Sequence, residues 1–537
     1  MPSKTDIRIR KTDFLVLGSG VAGLRAAISL GRKGSVLIVN KGNPPQSASE
    51  VAQGGIAVAM EGSDSTADHR DDTIKAGKGL CRLEAVQTLV EEGPKRVSEL
   101  IEWGARFDQS ENKYLYAHEA GHRTPRILRA QGDSSGNEIV RTLLVEANKL
   151  ESIDWLNRHF TVDLLTDQGS CIGALMISEE GEWVAVRARA VVLATGGSGQ
   201  LFFRTTNPKV ATGDGMAMAY RAGALLEDME FVQFHPTSLA IPNAPAFLIT
   251  EAMRGEGAVL RDPAGNTFMK AYHPDGDLAT RDIVSRAILR EMEKHRSTHV
   301  FLDATHLDSA FLPKRFPTIT QTCLHYGLDI TKEAIPVSPA AHFMIGGPRT
   351  AVSAQTSVRG LFAAGEVACS GVHGSNRLAS NSLLEGLVFG ARAAESILEG
   401  DYKFSGAPEG FQTRVAEFLE AAHSGPGFSD ETANRLLSKL KRTMSEKVGI
   451  LREKTALQSA LGDLTDMKRV IKPGIQTSLQ GEFVNLLTVG LCVAKASLLR
   501  THSLGVHFRS DQTGETGPGS TDHIIFHQKD FPEGHFP

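Results

Sequence analysis

Cysteine is scarce in this chain of 537 residues: there are five, all scattered. Cys81, Cys171, Cys323, Cys369 and Cys492 never fall in a C-x-x-C arrangement. A disulfide framework, a zinc site and an iron–sulfur cluster of the chain's own are therefore not expected, and no metal is. Such usage suits a reducing compartment. Basic charge is not in excess either, since 58 Lys and Arg against 62 Asp and Glu leave a net charge of −4. That gives no electrostatic footprint for nucleic acid and no polybasic signal for an anionic membrane. Long apolar runs are missing too. The one near the N-terminus is only Phe14–Leu17, too short for a secretion signal, and no stretch approaches the ~18 apolar residues of a spanning helix. The expectation is a cytoplasmic protein that stays where it is made, with neither nucleic acid nor membrane as partner.

The length exceeds one ordinary core, so two or three domains are expected. Hydrophobic residues at 41% and charged residues at 22% are ordinary for a globular protein. Glycine is not ordinary: 53 glycines exceed the usual ~7% share and fit close backbone approach to a large ligand.

Phe14–Leu17 reads as a buried strand, Val21–Arg32 as a helix and Val36–Asn40 as a second strand. Between the first two lies Gly18-Ser19-Gly20-Val21-Ala22-Gly23. Glycines at these places permit a tight turn, close approach to a pyrophosphate and helix-on-strand packing, and the helix N-terminus favours the anion. Two further apolar runs, Ala190–Ala194 and Gly360–Ala364, also stop at glycine loops. Ligands of open α/β sheets sit at such strand ends, so a dinucleotide cofactor is expected there. The acid that commonly closes the second strand is missing. Asn40 stands in its place, followed by Lys41, and an amide can still bond a ribose hydroxyl.

Four side chains able to carry positive charge lie in four separate motifs: His235 in QFHPT, Arg281 in LATRDIVSR, His342 in AAHFMIGG and Arg377 in GSNRLASNSLLEG. Converged, they make a clamp for a small dianion, because the planar fork of arginine meets a carboxylate bidentately and histidine completes each end. Each also has a plainer reading: a structural hydrogen bond for a histidine, a helix-surface ion pair for Arg281, a solvated loop cation for Arg377.

Gln53-Gly54-Gly55-Ile56-Ala57, ATGG at 194–197, QFHPT at 233–237, TEAMRGEGA at 250–258, TRDIVSRA at 280–287 and AAGE at 363–366 occur in that order. Together they resemble the succinate dehydrogenase/fumarate reductase flavoprotein family, from about residue 12 to 510. The resemblance implies FAD, with Gly18, Ser19, Gly20, Gly23, Lys41, Gly54, Gly55, Glu366, Asn381, Ser382 and Leu383 around the nucleotide. Respiratory members attach FAD through a histidine five residues before Gln-Gly-Gly; here that position is Ala48, so a non-covalent flavin is implied. His235, Thr250, Glu251, Arg281, His342 and Arg377 correspond to the dicarboxylate site, with Gln233 and Leu248 completing its wall. The arginine matching Arg281 is the family's proton donor, which sits awkwardly with a pKa above ~12. Either Glu251 relays the proton, or the arginine acts as an electrostatic stabiliser.

The loop AHEAGHRTPRIL at 117–128 carries an acid, Glu119, as does the amino-acid-oxidising branch of that family. L-Aspartate is succinate with an added ammonium, for which a carboxylate is the natural partner; the plain alternative is an exposed loop acid. Ala120, Arg129 and the run Gly132–Ser135 depart from that branch's pattern, as does His502-Ser503-Leu504-Gly505. The implied activity is oxidation of L-aspartate to iminoaspartate, with O2 or fumarate as electron acceptor, feeding quinolinate synthase at the start of NAD biosynthesis. A soluble fumarate reductase or succinate dehydrogenase-type flavoprotein is the alternative, and a non-catalytic FAD-binding protein is another. The fold class is α/β: a Rossmann-like FAD-binding domain in two parts (1–235 and 345–400), an inserted α+β capping domain (236–344) and a C-terminal helical domain (401–537).

Overall fold

Phe14–Leu17, Val36–Val39, Ala190–Leu193 and Leu361–Ala363 are apolar stretches buried along their whole length. In the computed structural model, which describes residues 7–62, 64–400, 402, 408–423, 427–471, 474–512 and 522–530, they form most of one parallel sheet. The strand order is 361–363, 190–193, 14–17, 36–39 and 153–156, with Leu17 level with Leu193 on one side and Val39 on the other. A parallel sheet covered on both faces requires such unbroken apolar runs. The helix Val21–Gly31 makes the first crossover, ending one residue before the expected Arg32, which caps it.

The turn before that helix is built on two glycines. Gly18 has φ +102°, and a Cβ there would meet the Ala194 carbonyl oxygen at 2.3 Å; one on Gly23 would lie 2.0 Å from the carbonyl oxygen of Gly18. Gly20, between them, meets nothing closer than Ser49 Oγ at 3.2 Å. The three places divide as the fingerprint requires: turn, open approach and packing. The helix Asn381–Glu399 then crosses Val21–Gly31 closely, since a Cβ on Gly390 would be 2.5 Å from the Ala22 carbonyl oxygen.

A second, antiparallel sheet is ordered 232–239, 335–344, 300–303 and 259–261. It shares an apolar core, formed by residues between 239 and 337, with the helix Arg281–His295. The strands Val232–Leu239 and Ile335–Met344 carry His235 and His342 to the boundary with the first sheet.

The helices Asp430–Lys447, Lys454–Val470 and Ser478–Leu499 share a core with the first sheet. Two sequence expectations change here. Ser478–Leu499 is by length and composition apolar enough to cross a membrane, contrary to the reading of the sequence, yet most of it is buried in this core. Its polar residues broke the apolar run in sequence, and one of them, Asn485, turns inward to Arg221 and Asp214 at 2.9 Å each. The sequence beyond Gln512, rich in Gly, Thr, His and Pro, reads as a poorly ordered tail, yet part of it returns: Ile525–Phe526 pairs antiparallel with Leu226–Glu227. Residues 513–521 and 531–537 lie outside the described residues.

Candidate active site

One cavity of about 450 Å³ runs along the carboxyl ends of the parallel strands and reaches the second sheet. Gly18, Ser19, Gly20, Lys41, Gly54, Gly55, Glu366, Ser382 and Leu383 line it, and so do His235, Leu248, Thr250, Arg281, His342 and Arg377. Residues more than 300 positions apart in the chain thus share one wall. Gly23, Glu119, Gln233, Glu251 and Asn381 do not reach it. Gly23 serves helix packing, as above. Asn381, expected at the flavin nucleotide, sends its side chain the other way: Nδ2 donates to Thr73 Oγ1 at 3.0 Å and Oδ1 meets His69 Nε2 at 2.7 Å. That side chain anchors the helix start.

The nucleotide end carries open polar groups. Gln53 Oε1 and Asn207 Oδ1 are buried on the wall without a hydrogen-bond partner among the described residues. The helix Asn381–Glu399 has neither a capping side chain nor an acid in its first turn, so its free N–H groups favour an anion or a carbonyl oxygen. Glu366 accepts from the Met344 N–H at 3.0 Å, and burial pushes its carboxyl up to about 7 against that bond and Arg377. Lys41 is held by Asp214 at 2.9 Å and Glu482 at 2.7 Å. Burial works against its charge, and the two acids more than offset that, raising its pKa. Asn40 is bonded to Asn157 at 3.0 Å. Ala48 lies on the wall with only a methyl group to offer. The glycine cradle, helix terminus and open amide groups suit a flavin dinucleotide.

At the other end the four proposed cations do meet, but only two are cations. His235 and His342 pack edge to face with ring centroids 5.1 Å apart. Burial, then Arg281 and the neighbouring ring, hold His235 well below the usual histidine range; burial, Arg377 and Arg281 do the same to His342. Both are neutral near pH 7. His235 Nδ1 lies 3.2 Å from both the N–H and the carbonyl oxygen of Thr237, and Nε2 is buried without a partner among the described residues. His342 Nδ1 is bonded to Thr206 Oγ1 at 2.8 Å.

The arginines hold the positive charge. Arg281 starts its helix, donates from Nε to Glu251 at 2.5 Å and from Nη1 to Gln233 at 3.3 Å. Gln233 in turn donates to the Arg377 carbonyl oxygen at 2.8 Å. Arg377 lies over the Phe343 ring at 4.5 Å, and its Nε has no partner among the described residues. Burial and Arg281 lower its pKa to about 9, resisted by Glu366, Glu119 and Glu251, and it remains charged at pH 7. Gln233 and Glu251 therefore aim the arginines from behind the wall.

Glu119 is buried, not an exposed loop acid. Ser380 Oγ donates to it at 2.7 Å, and a Cβ on Gly54 would lie 2.8 Å from its Oε1. Burial first, then Glu251, raises its pKa, opposed by Arg281, Ser380 and Arg377. Its loop is fastened by Arg126, which pairs with Asp64 at 2.8 Å and Asp72 at 2.6 Å and donates to His122 Nδ1 at 3.1 Å.

Sequence reasoning missed three residues here. Arg254 is fully buried, lies 3.6 Å from Glu251 and leaves Nε and Nη2 without hydrogen bonds among the described residues. Thr206 and Ser380 orient His342 and Glu119. Arg254 sat in a recognised motif, and an arginine three residues after Glu251 on a helix was a readable signal.

The FAD binding domain family matches residues 13–383, and the C-terminal fumarate reductase flavoprotein family matches 437–516. An L-aspartate oxidase of Streptomyces coelicolor is 41% identical, covering 96% of this chain and 91% of its own. One from Neisseria meningitidis is 40% identical over 93% and 99%, and a chloroplastic one from Oryza sativa subsp. japonica is 40% identical over 93% and 81%. Among solved structures, a variant of E. coli quinol fumarate reductase superposes with a TM-score of 0.87 at 29% identity, covering 97% of this chain and 94% of that one. Mycobacterium smegmatis Sdh1 gives 0.82 at 34%, covering 97% and 92%. With a glycine-cradled cavity ending in paired arginines and histidines, and with relatives matched over nearly its whole length, the chain belongs to the L-aspartate oxidase branch of the FAD-containing succinate dehydrogenase/fumarate reductase flavoproteins.

Proposed function

We propose that the protein oxidises L-aspartate to iminoaspartate, using O2 or fumarate as electron acceptor. The observation that carries this is a buried carboxylate, Glu119, set within the field of two buried arginines. A plain dicarboxylate needs only the arginines; an amino dicarboxylate also needs a partner for its ammonium. Bound FAD, held without a covalent bond beside Ala48, supplies the two-electron acceptor.

The side chains do the rest. Arg281 and Arg377 bind the two carboxylates, while the neutral rings of His235 and His342 add hydrogen-bonding groups that need no protonation. Leu248 and Thr250 close the wall, and Gln233 keeps the arginines apart and oriented. Glu251 pairs with Arg281 and Arg254 and so fixes the position of both guanidiniums. The segment 236–344 acts as a cap that closes over the substrate and keeps water out. The iminoaspartate passes to quinolinate synthase for NAD synthesis, and the enzyme works in the cytoplasm.

The test is anaerobic addition of L-aspartate to the yellow protein. Loss of flavin colour with L-aspartate but not with succinate is the expected result. Bleaching by succinate alone would make it a succinate dehydrogenase-type flavoprotein, and no bleaching by either would leave a non-catalytic FAD-binding protein.

A further inference from the structure

Ser380 occupies a position where a serine normally does something else. It is the N-cap of the helix Asn381–Glu399, where a serine hydroxyl ordinarily accepts a hydrogen bond from a backbone N–H of the first turn. Here it makes no capping bond, and its backbone is left-handed, with φ +61°. That conformation is strained for a residue with a Cβ and persists only where the surroundings impose it. They do so from three sides. The Ser380 carbonyl oxygen accepts from the Ala57 N–H at 3.0 Å, the Ala379 carbonyl oxygen bonds His122 Nε2 at 3.0 Å, and Asn381 is tied to His69 and Thr73. The outcome is that Ser380 lines the cavity while its Oγ donates to Glu119 at 2.7 Å. Glu119 itself stands behind Gly54 and Ser380, off the wall.

We propose that Ser380 is the specificity-determining contact for the substrate's amino group: its Oγ, polarised by donating to Glu119, accepts a hydrogen bond from the ammonium in the cavity. This inference rests on the reading of Glu119 as the partner of that ammonium. A hydroxyl has one proton to give and two lone pairs to offer, so Ser380 can serve both neighbours at once. The carboxylate accepts the hydroxyl proton and leaves the oxygen electron-rich toward the cavity. A substrate without the amino group makes no use of this pair. Alanine at 380 would leave Glu119 buried without its donor and the ammonium without its acceptor.

The experiment measures kcat and KM of the holoenzyme for L-aspartate oxidation by O2 and, separately, for fumarate reduction by a reduced dye. The variants are Ser380→Ala, Ser380→Gly, Glu119→Gln and the double variant Ser380→Ala/Glu119→Gln. Glycine adopts the left-handed conformation without strain, so Ser380→Gly separates the lost hydroxyl from a disturbed backbone. Both single serine variants are expected to lower kcat/KM for L-aspartate relative to fumarate by about tenfold or more, mainly through KM, as fits the loss of one charge-assisted bond. The double variant should be no worse than Glu119→Gln alone, because the two residues act as one unit. Equal losses for both substrates in Ser380→Gly, or losses that multiply in the double variant, overturn the proposal. If Glu119→Gln itself harms both activities equally, the reading of Glu119 fails and this inference falls with it. A selective Glu119→Gln beside an unselective Ser380→Gly removes the serine alone.

Discussion

His235 illustrates how little of a residue's role is set by its type. Its Nδ1 lies 3.2 Å from both the N–H and the carbonyl oxygen of Thr237, its Nε2 has no partner among the described residues, and burial keeps the ring neutral. Replacement by Gln keeps a donor of similar reach, while Phe keeps only the ring. We expect His235→Phe to lose about 10- to 100-fold in kcat/KM, the worth of a hydrogen bond to a charged substrate group, and His235→Gln to lose much less. Equal losses would mean that ring packing matters, not donation. Glu119 gives a second residue-level expectation. Its raised pKa leaves it protonated at acid pH, where it cannot attract an ammonium, so KM for L-aspartate should fall as pH rises through that pKa. Arg281, Arg377, Arg254, Glu251 and Ser380 surround it and stay in place in Glu119→Gln, whose KM should lose this dependence. At this scale the motifs marked most residues of the cavity wall, but a motif alone did not suffice, since Arg254 and Ser380 lay inside quoted motifs and were passed over. The sequence was silent on the roles of Ser380 and Thr206, because a serine or threonine shows its partner only once the chain is folded. It also gave His235 and His342 a charge that burial removes.

At the scale of elements, the strand–glycine–helix opening was legible almost to the residue, since buried parallel strands must be apolar throughout and the turn has room only for glycine. The same geometry separates the glycines by function. Gly18→Ala and Gly23→Ala each place a Cβ within 2.3 Å of a carbonyl oxygen that belongs to the framework. Both should lower the melting temperature of the FAD-free protein, with about 1–3 kcal/mol lost through overpacking and strain. Gly20→Ala meets only a serine hydroxyl at 3.2 Å, so the FAD-free protein should melt nearly as before while its FAD affinity falls. Thermal melts of stripped protein, set beside flavin titrations, distinguish the two classes. A Gly20→Ala protein that melts early yet binds FAD normally would show that this glycine serves the fold. The helix Ser478–Leu499 was harder to read, because Gln480, Glu482 and Asn485 interrupt its apolar run and only the packed structure shows their partners.

For the whole molecule, the segment 522–530 ties the end of the described chain back to the turn after the strand Leu226–Glu227. No pattern in the sequence announced this, since a two-residue strand is too short to carry a period. Two kinds of force hold it. Phe526 is buried in the largest core, and His523 Nδ1 lies 2.6 Å from Asp228. The hydrogen bond to Asp228 comes first in raising the His523 pKa above 6.5, then its charge and that of Glu227, against burial and Arg82. A histidine whose folded pKa is raised stabilises fully below its unfolded value and loses that contribution as pH rises through the folded one. Phe526 has no such dependence. Phe526→Ala should therefore cost about 3 kcal/mol at every pH, the lower end for a buried ring. His523→Ala should cost most in mild acid and progressively less as the medium becomes alkaline. The buried pair His69 and His122 works in the opposite sense. Burial lowers their pKa values to about 4 and about 3, so their contribution is present above ~6.5 and lost as pH falls toward those values. The wild-type melting temperature should accordingly decline on both sides, and His523→Ala should flatten only the alkaline limb. If the His523→Ala penalty is the same across the whole pH range, packing rather than the ion pair docks the tail.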